Sequence, residues 1–433
     1  MKKLLTSLSF FSLMILPLAA QFRFPKPEFN SGYESPVLPQ PQPAADWHQY
    51  LAVGILFAVM LLTGLAVYKW RSRKFQILLI LFSLAFFGFY REGCVCAIGS
   101  VQNITASLAD SSFPLPLPVL AFFVLPLLVS LFFGRLFCGA ACPLGAVQEL
   151  VLLRPLKVPK VLDRVLRMGP PLYLGMAVLF AFTGLGFIIC SYDPFVGFFR
   201  LTGTVLMLTA GVIVVALSMF VARPYCRYIC PYGFLLKCAA FFSPRQVSIT
   251  PDKCIKCRLC EGACPSDVII PPKPRRYEEP GHVAVRRIQF LLVFTPGIIA
   301  AGIVAGAMLS KPAMTLDKDI VLLRNIKAGN IKNEKVAAFL ATGTPVKDLV
   351  QRVAIRKQRL KTGWMVFGAW AGIVVAGSMI AASRRRNNED YITDKLNCIC
   401  CSRCYSYCPR ELQGQTLEEP EIDVKNGDEI NNG

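Results

Sequence analysis

Two stretches of this 433-residue chain carry the same spacing of thiols. Cys254, Cys257, Cys260 and Cys264, followed by Pro265, form a C-x2-C-x2-C-x3-C-P run. Cys398, Cys401, Cys404 and Cys408, followed by Pro409, repeat it without change. The spacing suits a [4Fe–4S] cube: three thiolates crowded in one loop reach different irons, and the fourth reaches across to a second cube. The repeat therefore predicts crossed ligation. One cluster takes Cys254, Cys257, Cys260 and Cys408; the other takes Cys398, Cys401, Cys404 and Cys264. Zinc or disulfides are the competing reading, but zinc sites usually show paired C-x2-C knuckles. Cys400 is an extra thiol inside the second run. The segment between the runs must leave and return.

A second thiol pattern is duplicated as R-x-x-C-x3-C-P-x-G. One copy holds Cys138 and Cys142, the other Cys226 and Cys230. Spacing of i, i+4 places both sulfurs on one helix face, and Pro143 and Pro231 loosen the helix beyond. Two such pairs, related by a pseudo-two-fold axis normal to the membrane, supply four thiolates, the ligand count of an iron–sulfur cluster. Copper(I), redox-active thiols and buried thiols stay open as alternatives. A weaker echo follows at R-E-G-C-V-C-A-I-G-S-V-Q-N, with Cys94 and Cys96, and at C-S-Y-D-P-F-V-G, with Cys190 and Asp193. These four residues form a candidate outer metal site, against the alternative of a disulfide plus one thiol. Cys238 reads as structural.

The elements that position these thiols are apolar. The chain is 54% hydrophobic and 17% charged, against about 25% charged in soluble domains. The fold class is mainly α: a polytopic helical membrane protein with a bacterial-type 2[4Fe–4S] ferredoxin module assembled from two separated segments. Residues 1–20 read as a secretory signal peptide, with an uncleaved anchor as the alternative. Residues 21–46 read as an external Pro-rich linker. Seven spans of near-sufficient length are expected at about 49–69, 75–90, 117–137, 171–190, 203–222, 288–309 and 363–383. Basic clusters at 69–74, 154–167 and 384–386 mark the cytoplasmic side. That orientation puts both ferredoxin runs inside and Cys94, Cys96 and Cys190 outside.

The domains are then a transmembrane core at 47–240, ferredoxin segments at 241–286 and 384–410, a two-span hairpin at 287–383, and an acidic tail at 411–433 that reads as disordered. One feature opposes the topology. Loop 311–360, placed outside, holds eleven Lys/Arg against four Asp/Glu, contrary to the positive-inside rule. Docking of an acidic partner and simple solvation both account for it.

With these spans and thiols in place, the chain resembles the NosR/NapH-type membrane polyferredoxins, and the related CcoG-type copper-reductase and oxidase-assembly proteins. The paired C-x3-C-P motifs followed by C-x2-C-x2-C-x3-C-P carry the likeness over about residues 75–270, and the second run extends it. The resemblance implies membrane electron transfer from quinol or a cytoplasmic donor toward periplasmic enzymes. The chain departs from it in two ways. The short segment 21–46 and the lack of an S-G-A-T-like motif speak against a covalent flavin domain. A two-span hairpin separates the ferredoxin runs.

The expected function is a membrane iron–sulfur conduit, because a hydrocarbon core about 30 Å thick exceeds one tunnelling step. Copper reduction or metalloenzyme assembly, and redox sensing, are the alternatives. The expected cofactors are two [4Fe–4S] clusters and one or two more in the membrane region. Two histidines, His48 and His282, without helical partners exclude bis-histidine haem, and no C-x-x-C-H is present. No nucleophile or acid–base pair stands out, so an enzymatic label would rest on cofactor chemistry, as in a quinol dehydrogenase. Expected partners are a periplasmic c-type cytochrome, flavoprotein or reductase, quinol, and the subunits of a larger complex. The expected site is the bacterial inner membrane. The net charge of +20 reflects cytoplasmic loops rather than nucleic acid.

Overall fold

The computed structural model describes residues 46–93, 97–110, 113–200, 203–245, 247–249, 254–272, 281–329, 334–341, 345–383 and 391–409. The leader at 1–20, the linker up to residue 45, Cys94, Cys96 and the acidic tail from Glu411 lie outside these residues.

Helices follow the apolar runs. α1 (Asp46–Tyr68) is followed by α2 (Arg73–Ser83), which continues as a wider π-type helix over Leu84–Tyr90. Ser72 caps α2 by accepting from the Phe75 amide at 3.4 Å. α3 (Ala97–Ala109) and α4 (Leu117–Phe133) come next; a π-type turn at Phe137–Ala141 then leads to α5 (Pro143–Val151). α6 (Lys160–Leu166), α7 (Gly169–Thr183), α8 (Ile188–Tyr192), α9 (Pro194–Arg200) and α10 (Val205–Ser218) precede the short α11 (Pro224–Tyr228) and α12 (Pro231–Phe241). α13 (Leu259–Ala263) and β1 (Ile269–Ile270) belong to the first ferredoxin segment. α14 (Gly281–Ala313), α15 (Lys318–Lys327), α16 (Glu334–Ala341) and α17 (Val346–Ser383) form the intervening hairpin. β2 (Ile392–Thr393) and α18 (Arg403–Ser406) complete the chain.

Among the described residues, five helices are long and apolar enough to cross a membrane: Trp47–Tyr68, Arg73–Tyr90, Lys160–Thr183, Gln289–Leu316 and Val346–Ser383. α4 and α10 are apolar but shorter. This is a helical membrane protein. Its main core gathers Met60, Phe87, Val101, Phe122, Val147, Tyr225, Tyr232 and Leu236 around Cys138, Cys142 and Cys230. The thiol motifs thus occupy the centre of the bundle.

α14 and α17 form a close pair. A Cβ on Gly302 or Gly306 would strike the backbone of Gly368 or Trp364, and one on Gly372 would lie 2.8 Å from Ile299 Cα. Two G-x3-G stripes, Gly302/Gly306 and Gly368/Gly372, thus let the backbones touch, as small-residue stripes do in membranes. The Trp370 indole N–H donates to the Pro171 carbonyl at 2.8 Å and ties α17 to α7. Beyond the spans, α15 and the start of α17 share a small core of Leu323, Leu349 and Val353.

Candidate functional site

The two ferredoxin segments meet through β1 and β2, paired antiparallel with Ile269 opposite Thr393 and Ile270 opposite Ile392. The Thr393 hydroxyl donates to the Val247 carbonyl at 2.6 Å, and the Asp394 amide to the Val268 carbonyl at 2.7 Å. This pairing sets the thiols in two groups. Cys260 has Cys254, Cys257 and Cys408 within electrostatic reach. Cys404 has Cys401, Cys398 and Cys264. The fourth thiol of each run therefore sits with the other run's first three.

Each group offers four thiols, and a [4Fe–4S] cube binds one thiolate at each of its four irons.

The twin loops share a backbone. Lys256 and Cys400, in matching positions, both have left-handed φ, 54° and 53°, as do Arg258 and Ser402, at 64° and 55°. Their surroundings differ. Ile255 is 53% exposed, while its counterpart Ile399 is 8% exposed and packs into the bundle core. Run one faces out; run two is pressed against the membrane helices.

The seam between run two and the bundle is tight. Gly139, between Cys138 and Cys142, leaves room for the backbone of run two: a Cβ there would lie 3.0 Å from the Ile399 carbonyl oxygen and 3.1 Å from that of Cys400. The Gln76 amide donates to the Cys400 carbonyl at 2.7 Å and Arg73 to that of Cys401 at 2.8 Å. Glu149 on α5 ties the parts together. Its carboxylate meets Arg73 at 2.5 Å, Arg403 at 2.7 Å and Arg223 at 3.1 Å. Burial alone would raise its pKa; Arg223, Arg403 and Arg73 outweigh that and hold it down at about 2.

The four C-x3-C-P thiols come together, with Cys226, Cys142 and Cys138 all within reach of Cys230. They do not lie along continuous helices as expected. Cys142 and Cys230 have extended backbone, ψ 117° and 111°, and precede a proline that opens the next helix. Proline at the first helical position lacks an N–H that would be unpaired anyway, so it starts a helix here instead of loosening one.

The two motifs also exchange arginines. Arg223 of the second copy lies 3.0 Å from a Cβ built on Gly145 of the first, and Arg135 of the first lies 3.5 Å from one on Gly233 of the second. Arg223 donates to the carbonyls of Cys138 and Gly139. Its φ of 48° before a proline is strained. It lies within reach of Cys226, Cys138 and the run-two Cys401, and so stands between the two thiol groups. Arg135 is 3% exposed; its Nη2 reaches Cys138 Sγ at 3.5 Å, and its Nε lacks a partner. A buried guanidinium calls for an anion, which a set of ligating thiolates supplies.

Of the outer candidates, Cys190 is exposed on α8, Asp193 is buried, and Cys94 and Cys96 lie outside the described residues. Asp193 caps α9 by accepting from the Phe195 amide at 2.8 Å, and it accepts from the Tyr225 hydroxyl at 2.8 Å. Its scaffold copies the inner one. Gln148 accepts from the Tyr225 amide, one residue before Cys226; Gln102 on α3 accepts from the Ile189 amide, one residue before Cys190. A cavity of about 30 Å³ is lined by Cys142, Asp193, Gly93 and Ala97 together, with Phe137, Phe195 and Phe199.

The comparisons with known proteins point to iron–sulfur binding. A 4Fe-4S binding domain matches twice, over residues 115–160 and 203–249, enclosing both C-x3-C-P motifs; another matches 247–270, across run one. An uncharacterized protein of Methanocaldococcus jannaschii is 30% identical over 200 residues, 43% of this chain and 80% of that protein. The putative electron transport protein YccM of Escherichia coli is 28% identical over 189 residues, 40% of this chain and 53% of its own length. Regulatory protein NosR of Pseudomonas aeruginosa is 27% identical over 243 residues, 51% of this chain and 33% of its own. This chain belongs to the NosR/NapH-type membrane 4Fe–4S family. It spans about half of YccM and a third of NosR. No solved structure matches it significantly.

Within this NosR/NapH-type chain, sequence reasoning missed Glu149, Gly139 and the helix after Cys96. Glu149 had a signal: it is a carboxylate in an otherwise uncharged stretch, P-L-G-A-V-Q-E. Helix α3 had one too, since A-I-G-S-V-Q parallels P-L-G-A-V-Q.

Proposed function

We propose that this chain is a membrane electron conduit of the bacterial inner membrane, with the ferredoxin module on the cytoplasmic side. Electrons enter from quinol or a cytoplasmic donor and leave to a periplasmic redox protein. Cys254, Cys257, Cys260 and Cys408 hold one [4Fe–4S] cluster; Cys398, Cys401, Cys404 and Cys264 hold the second. Cys138, Cys142, Cys226 and Cys230 hold a third at the inner part of the bundle. Cys94, Cys96, Cys190 and Asp193 form the outer station. When bound, the clusters supply one-electron carriers whose potentials follow burial and hydrogen bonding.

The observation that carries this reading is the seam at Gly139, where the backbone of run two rests on the Cys138–Cys142 turn. Carriers must be close to exchange electrons, and here two thiol groups share one contact and one arginine. The chain's other tasks follow from its residues. Glu149 fixes the module on the bundle through Arg73, Arg223 and Arg403. Arg135 and Arg223 bring buried positive charge to the thiolates. Phe137, Phe195 and Phe199 surround the cavity on the way to Asp193.

Anaerobic purification with iron, sulfide and copper analysis, together with EPR, tests this. About twelve iron atoms per chain, four per cube, are expected from the three best-defined sites, falling to about eight in Cys226→Ser/Cys230→Ser. Copper instead of iron at the C-x3-C-P thiols would overturn the conduit in favour of metal handling.

A further inference from the structure

The twin loops are alike in spacing and backbone, so their differences point to what each one faces. Run two presents Ile399, Cys400, Ser402 and Arg403 to the bundle. Run one presents Ile255, Lys256, Arg258 and Leu259 at the matching positions, and all four are exposed. Ile255 and Leu259 are 53% and 49% exposed, and Cys257 between them is exposed too. Lys256 is exposed, and among the described residues Arg258 meets Glu261 at 3.4 Å. Two apolar side chains flanked by two cations thus surround an exposed cluster thiol. Burying two large apolar residues against a partner is favourable, while cations beside them select the sign of that partner's charge and speed its approach.

We propose that this collar is a docking face for an acidic one-electron carrier protein, which exchanges electrons with the Cys254/Cys257/Cys260/Cys408 cluster. The inference rests on the conduit reading and names the partner class of its module terminal. The exchange is one electron: the carrier loses it, the cluster gains it, and no bond or proton moves. Ile399, Cys400 and Ser402 of run two are buried while their counterparts in run one are exposed, which leaves run one as the module's more open terminal.

The face has a rival occupant on the same chain. Residues 411–433 carry seven acidic side chains and begin three residues after Cys408. The test separates the two.

The cluster-loaded full chain in nanodiscs is mixed with a small acidic 2[4Fe–4S] ferredoxin as the probe and treated with a carbodiimide, and the cross-links are mapped by mass spectrometry. The expected link joins Lys256 to a probe carboxylate and disappears at about 0.5 M salt, where screening acts within a few ångströms. In stopped flow, Lys256→Glu/Arg258→Glu should lower the rate of reduction by the reduced probe about tenfold or more at low salt. Reduction by methyl viologen radical should not change, which shows that the cluster is intact. Lys256→Gln/Arg258→Gln should give a smaller fall, and Lys357→Glu/Lys361→Glu, on α17, none. The proposal is overturned if Lys256 links to residues 411–433 instead, if the charge-reversed chain reacts with the probe at the parent rate, or if α17 reversal slows the probe equally. Failure of the conduit reading looks different: Lys256 links to the probe and the module is reduced, but the membrane thiol site never follows.

Discussion

Glu149 shows how one residue sets the relation between module and membrane. A carboxylate offers about four lone-pair sites, and here three guanidiniums from α2, the α10–α11 connection and α18 use them. Removing one partner from a buried ion network leaves uncompensated charge and costs about 3–5 kcal/mol. Glu149→Gln should therefore shed iron at a lower urea concentration than the parent chain, followed by visible absorbance. Unchanged iron retention would show that the clamp is idle. The sign of the pH effect follows from the depressed pKa. Glu149's contribution is complete above about 4.5, its ordinary value, and is lost as pH falls toward about 2. The grouping of the thiols was legible in the sequence, because a repeated C-x2-C-x2-C-x3-C-P spacing predicts which of them meet. The charges that seat them were not, because Arg73, Glu149, Arg223 and Arg403 are scattered along the chain and only the fold brings them together.

The same contrast holds for elements. Helices lie over the seven apolar stretches, and among the described residues five helices are long and apolar enough to cross a membrane, those at Leu117–Phe133 and Val205–Ser218 being shorter. The contact between α14 and α17 was also written in the sequence, as G-I-V-A-G and G-A-W-A-G, but a small-residue stripe names its partner only when another faces it. Their backbones touch, so a side chain cannot be added without parting them. Gly368→Leu should separate the hairpin at a cost above the roughly 1–3 kcal/mol of ordinary overpacking. Because run two follows α17, both module clusters should suffer together: one loses Cys408, the other Cys398, Cys401 and Cys404. Iron should fall by about eight atoms per chain, four per cube, with the C-x3-C-P site retained. Loss of only one cluster's EPR signal would contradict this. What the periodicity hid was α3. It follows thiols that the topology places outside, yet Ala97, Ile98, Val101 and Gln102 are buried in the bundle.

At the scale of the whole molecule, three thiol groups follow one another from an exposed loop, through a buried seam, into the helical core. Run one faces solvent, run two rests on Gly139, and Cys138, Cys142, Cys226 and Cys230 lie in the core. This order fixes where a break should act. Cys404 groups with Cys401, Cys398 and Cys264, so Cys404→Ser should impair the middle station and spare both its neighbours. In nanodiscs with a reductant confined to the module side, the run-one cluster should then reduce at its normal rate. The C-x3-C-P site should lag far behind, by EPR, although it still carries its metal. Cys260→Ser, which disturbs the first station, should slow both downstream signals instead. If the core site reduces as fast in Cys404→Ser as in the parent chain, electrons reach it by another door, such as quinol at the membrane. The seam at Gly139 would then serve as a structural joint rather than a crossing.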